Sequence, residues 1–173
     1  MNRTIAFAAL SIALLLPSAS LGQPPGMVAD QPRVNTGRLD GSIKSYQDAT
    51  KYYQAGQYKQ AEMELEKFLA AVGEHAGGNF MMGLVQIGLQ DIEKARTSFR
   101  AAVKSDPSMV TPRGYLGAVE AFLGNPKSAI EQKTALEKMA TECGGNCPKA
   151  ADITQALQRV EENLAAAAQP QPS

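Results

Sequence analysis

The chain contains no tryptophan, a single histidine and two cysteines. Each scarcity removes a class of function. With no Trp and aromatics at 6% of residues, no stacking platform for nucleic-acid bases stands out. Two thiols and His75 fall short of the four nitrogen or sulfur ligands that a structural zinc site wants. His75 also lacks the Ser, Cys or carboxylate pattern that would make it a catalytic base, so it reads as an exposed turn residue. The glycines beside it (HAGGNF) lack the Lys-Ser/Thr ending of a phosphate-binding loop. Neither sign of charge is in excess, since 17 Lys and Arg face 17 Asp and Glu with no basic stripe, and this argues against a nucleic-acid partner. Nothing in the sequence implies a cofactor, and no enzyme is expected.

Long hydrophobic runs are also missing. The longest, Ile5 to Leu16, is about a dozen residues against the roughly 20 that a spanning helix needs. It follows Arg3, ends at Pro17 and is succeeded by Ser18, Ala19, Ser20 and Gly22. That is the layout of a cleavable secretory signal over residues 1–22, with a membrane anchor as the alternative. Cleavage after Gly22 or after Ser20 satisfies the small-residue rule, and the mature chain then carries a net charge of about −1. The expected location is the periplasm or outside the cell, with no stable membrane span once the signal is removed. Residues 23–41 are rich in Pro, Gly and polar side chains and read as a flexible linker. Residues 167–173 read as a disordered tail.

What is present lies between these ends. Residues 42–166 are rich in Ala, Leu, Lys, Glu and Gln, the composition of helices. Ala61, Ala95 and Ala129 recur at intervals of 34 residues. So do the small residues Ala49, Gly83 and Gly117, and the turn pairs Gly56-Gln57, Gln90-Asp91 and Gly124-Asn125. Thirty-four residues hold two short helices and two turns. Larger residues (Tyr52, Leu65, Phe68, Met82, Phe99, Leu116, Leu136) fall where they can fill the space between pairs, with the small ones at the helix contacts.

These residues resemble tetratricopeptide repeats, whose pattern reads W-x2-L-G-x2-Y, A-x3-F and P. Residues 76–109 carry Met82-Gly83, Ala95-x3-Phe99 and Pro107. Residues 42–75 carry Ala49-x2-Tyr52 and Ala61-x3-Leu65. Residues 110–143 carry Leu116-Gly117 and Ala129, but Lys133 stands where the second-helix aromatic belongs. Asn125-Pro126 reads as an N-cap followed by proline at the first helical position. The expected fold is all-α: three tetratricopeptide-like helix-turn-helix repeats in a short right-handed superhelix. A capping helix over 148–166 should close it through the stripe Ile153, Leu157, Val160 and Leu164, turning Gln155, Gln158, Arg159, Glu161 and Glu162 to solvent.

In an exported protein the pair Cys143 and Cys147, around Gly-Gly-Asn, reads as a structural disulfide contributing about 2 kcal/mol. A thiol-active role and a metal site are the alternatives, and neither has the usual spacing. The resemblance implies a binding module whose partner, another protein or peptide, lies on the concave face of the first helices. That face comprises Tyr46, Thr50 and Tyr53, then Phe80, Leu84 and Ile87, then Gly114, Ala118, Ala121 and Phe122. Members that clamp the carboxylate tail of heat-shock chaperones use Lys, Arg and Asn there, and this chain has none on that face. The same apolar residues are alternatively ordinary core, or are covered by the linker or the capping helix. Self-association is a further possibility. Mass spectrometry of the natively exported protein should give a mature chain beginning at Gln23 or Leu21; an intact Met1 refutes the signal.

Overall fold

The computed structural model describes residues 36–169, and the expected signal, most of the expected linker and the last four residues lie outside this range. Seven α-helices and no strand occur among the described residues: α1 (Thr36–Gln54), α2 (Tyr58–Val72), α3 (Ala76–Gly88), α4 (Ile92–Ser105), α5 (Val110–Phe122), α6 (Pro126–Cys143) and α7 (Ala150–Ala167). The helices pack as antiparallel pairs, α1 with α2, α3 with α4 and α5 with α6. Each pair's second helix packs on the next pair's first. Helix α1 begins six residues before the expected start at residue 42. Between Thr36 and Gln54 no proline interrupts the chain, and a glycine costs a helix only about 1 kcal/mol. The turns are therefore drawn into a helix already anchored downstream.

The 34-residue period is a backbone fact as well as a sequence one. Gly56, Gln90 and Gly124, at equivalent positions, have φ of 70°, 61° and 73°. The N–H of the residue after each donates to the carbonyl five residues earlier: Gln57 to Tyr52 (2.8 Å), Asp91 to Gln86 (2.9 Å) and Asn125 to Glu120 (2.8 Å). This is the left-handed stop that ends a helix by satisfying its last carbonyls. Gln90 is the one non-glycine with positive φ among the described residues. Asp91 then caps α4 by accepting from the Lys94 N–H at 3.2 Å. The hydrogen bonds from Lys94 hold the Asp91 carboxyl below its ordinary value. Asn125 holds the N-cap position of α6, but its side chain makes no capping bond; Pro126 alone presets the first turn. His75 is exposed, as a turn residue should be, and caps α3 by accepting from the Gly78 N–H at 2.9 Å.

Within pairs the small residues mark the contacts. Ala49, Ala61, Ala95 and Ala129 are fully buried. A Cβ on Gly83 would overlap the Phe99 ring, meeting Cδ1 at 2.6 Å. Leu65, Phe68, Met82, Phe99, Leu116 and Leu136 are buried, and Tyr52 is half-buried. Where α3 presents Gly78, Met81 and Val85 to the preceding pair, α1 carries Lys44, Gln47 and Lys51 at the equivalent positions, all exposed. The outer side of the first pair is thus polar, with Asp48 pairing to both lysines.

At the other end α7 runs parallel to α5 and packs principally against it, and less against α6. The contact row is Ile153, Ala156 and Val160, all buried, while Leu157 and Leu164 are only half-buried. Leu157 and Leu164 pack on the same core, as expected, but the row of closest contact is rotated toward Ala156. Ala156 lies over Gly114, where a Cβ would meet its Cβ at 2.8 Å, and so close an approach leaves no room for a leucine. Lys133, at the position of the missing aromatic, reaches across to Glu161 of α7 at 3.2 Å and to Glu137 at 2.8 Å.

Two outcomes are expected. Gly83→Leu should lower stability by about 1–3 kcal/mol or more in a denaturant titration, because the Phe99 ring has no space to retreat. Gln90→Gly should raise stability by about 1 kcal/mol, because it relieves a left-handed residue with a side chain. A loss of stability on Gln90→Gly would refute the turn geometry.

Candidate functional site

The first-helix face of the first two pairs is built from side chains that the pairing leaves half open. On α1, Tyr46 packs at a tilt against Phe68 with ring centres 5.0 Å apart, and Phe68 meets the His75 ring edge-on at 5.1 Å. One turn on, the Thr50 hydroxyl donates to the Tyr46 carbonyl at 2.9 Å, which spends its polarity on the backbone. Tyr53 then packs on Tyr58 at 5.9 Å. Burial raises the Tyr53 phenol above its ordinary pKa, helped by the neighbouring Tyr115 and Tyr58, so its surroundings are poor in water. On α3, Phe80, Leu84 and Ile87 are half-buried at the edge of the core cluster formed by Ala95, Phe99, Leu116 and Val119. The structure thus brings Tyr46, Thr50, Tyr53, Phe80, Leu84 and Ile87 onto one face, none of them charged.

The third pair contributes differently. Gly114 and Ala121 are buried, and Ala118 is only 8% exposed. Gly114 lies under Ala156, and a Cβ on Gly117 would meet Val160 Cγ2 at 2.6 Å. The expected groove residues Ala118 and Ala121 are therefore closed off, because α7 occupies the α5 face that an open groove would use. Phe122 escapes this cover at 68% exposed, beside Ile92 and Asn163.

One residue of this region is absent from the sequence reading, and a second is seated differently from expectation. Tyr115 joins Phe80 (5.6 Å) and Phe99 (5.3 Å, stacked) in an aromatic cluster. The Arg159 guanidinium sits 4.2 Å above the Tyr115 ring. Arg159 was expected on the solvent side of α7, but the rotation of the contact row turns it inward onto Tyr115. A cation over a tyrosine face contributes about 0.5–2 kcal/mol. No sequence spacing couples residues so far apart; only the inward seat of α7 does. The structure joins Cys143, the last residue of α6, to Cys147 by a disulfide with a Cα–Cα distance of 5.3 Å. No helix among the described residues is long and apolar enough to cross a membrane.

Residues 76–109 match the family model described as "Tetratricopeptide repeat". Among solved structures, the chain is similar to the TPR2B domain of yeast Sti1, solved in complex with pHsp70. The TM-score is 0.59 at 17% identity, over 71% of this chain and 98% of that one. It is also similar to the second TPR domain of human RPAP3 in complex with the HSP70 peptide SGPTIEEVD, with a TM-score of 0.58 at 20% identity, over 72% and 98%. The fold is that of a tetratricopeptide repeat domain. No curated protein matches the sequence. The matched repeat, α3 with α4, is the middle one and the one whose residues keep most of the motif.

A contrast between neighbours tests where the face closes. Phe122→Ser should change stability by less than about 0.5 kcal/mol, because its ring is already in water. Ala121→Leu, one residue away, should cost about 1–3 kcal/mol by overpacking the seat of α7. Equal effects in thermal melts would remove the distinction.

Proposed function

We propose that this domain is an exported, non-enzymatic binding module that grips an apolar segment of a partner protein on the concave face of its first two repeats. The observation that carries the reading is the half-open, uncharged surface of Tyr53, Phe80, Leu84 and Ile87 on a scaffold whose solved neighbours hold peptides. The peptide in one of those neighbours, SGPTIEEVD, is acidic. An acidic tail calls for basic side chains, and the positions of this face supply none. The partner segment is accordingly apolar rather than acidic. Aromatic and aliphatic side chains held in place by their own packing lose little entropy on contact, and such anchors carry most of a small interface's energy. Export is supported by the leader-like layout of residues 1–22 and by a cysteine pair suited to an oxidising compartment.

Leu84→Glu tests the reading. Placing a charge in the centre of the face should weaken capture of partners from an envelope extract at least tenfold, equivalent to about 1.4 kcal/mol. Helical content by circular dichroism should stay unchanged. If the variant unfolds, Leu84 is core. If it folds and retains the same partners, this face is not the binding surface.

A further inference from the structure

We propose that the face of α5 beneath α7 is a second helix-docking surface. The chain's own α7 keeps it closed, and reduction of the Cys143–Cys147 bond opens it to an amphipathic helix whose apolar row carries an alanine-sized residue at its centre. The occupant's chemistry is read from the helix already seated there. Ile153, Ala156 and Val160 face α5, and the backbone approach at Gly114 admits only a side chain as small as Ala156. This surface is the third repeat's share of the concave side, so an opened α5 continues the face of Phe80 and Leu84 by one helix.

The polar ties that hold α7 are weak ones. The bridge from Lys133 to Glu161 and the bond from Lys149 Nζ to the Ser108 carbonyl (3.1 Å) are both in contact with water. Exposed ties of this kind contribute little. The apolar contact row and Arg159 on Tyr115 supply the rest. What fixes the direction in which α7 leaves α6 is the covalent ring. It spans Gly144 and Gly145, both with positive φ, and without the bond these two glycines would give the joint wide conformational freedom.

The bond is also reachable. A cleft of about 490 Å³ opens between the start of α5, the end of α6 and the start of α7, and both Cys143 and Cys147 line it with Val110, Met139, Lys149 and Ile153. A dithiol reductant entering it attacks one sulfur as a thiolate and forms a mixed disulfide, releasing the other cysteine as a thiolate that takes up a proton. Its second thiolate then displaces the first cysteine. The products are two cysteine thiols and one oxidised dithiol, a two-electron exchange. By loop entropy, closing a ring of five residues biases the equilibrium by about thirtyfold.

The test uses the whole chain, oxidised or reduced with dithiothreitol, beside the double variant Cys143→Ser with Cys147→Ser. Amide exchange in residues 153–164 should quicken by about thirtyfold on reduction and in the double variant, while exchange in α1 to α4 stays unchanged. A labelled synthetic peptide of residues 150–167 should bind the reduced chain and the double variant but not the oxidised chain. The same peptide carrying Ala156→Glu should bind neither. The proposal is overturned if α7 exchanges at the same rate in both states, or if the peptide fails to bind the reduced chain. It is also overturned if α1 to α4 accelerate equally, since the bond then only stabilises the domain as a whole.

Discussion

Two helices can share a core only if their axes come close, and here they come close where a side chain is nearly absent. The contact of Gly83 with the Phe99 ring, repeated in kind at Ala49, Ala61, Ala95 and Ala129, sets the spacing of every pair. The larger side chains follow from it. Once the pair is tight, Leu65, Phe99 and Leu136 have no room within it except at its flank, where they meet the next pair. One pair therefore cannot bury its own apolar surface, and stacking is a requirement of the packing. The half-open first-helix face is a by-product of the same geometry, since the flanks are consumed by neighbours and the inner side is not.

The parts of this architecture that were legible in the sequence are those that repeat. The small residues and the turns recur every 34 positions, so three pairs could be read. The features that were not legible depend on a single event, the inward seat of α7. Its stripe was read as Ile153, Leu157, Val160 and Leu164. The sequence shows large apolar residues clearly, but not that Gly114 would demand Ala156 opposite it. From that one rotation follow the burial of Ala118, the inward turn of Arg159 and the loss of the third repeat from the open face. Tyr46, Thr50, Tyr53, Phe80, Leu84 and Ile87 lie on ordinary repeats, and their half-burial follows the repeat register.

The difference between α7 and a fourth first helix begins in the connection. Three residues join α2 to α3, four join α4 to α5, and six join α6 to α7. A short link leaves a helix no choice but to lie on the one before it. The longer link, bent back on itself by the cysteine ring, lets α7 pass over α6 and settle on α5. The lysine that replaces the second-helix aromatic, Lys133, fits this arrangement. A ring at that position would seek a further pair to fill, whereas an ammonium group reaches the carboxylate of Glu161.

The polar outer side of α1 has a consequence for assembly. Every contact between successive pairs is head to tail, the back of one against the front of the next, and such contacts have no built-in stopping point. If the front of the first pair were apolar like the others, the back of a second molecule's last pair could stack on it, and then a third, into an open-ended fibre. Lys44, Gln47 and Lys51 make the front of the first pair wettable, and α7 draws the back of the last pair out of line. Among the described residues the two ends of the stack therefore do not match one another as the back and front of successive pairs do.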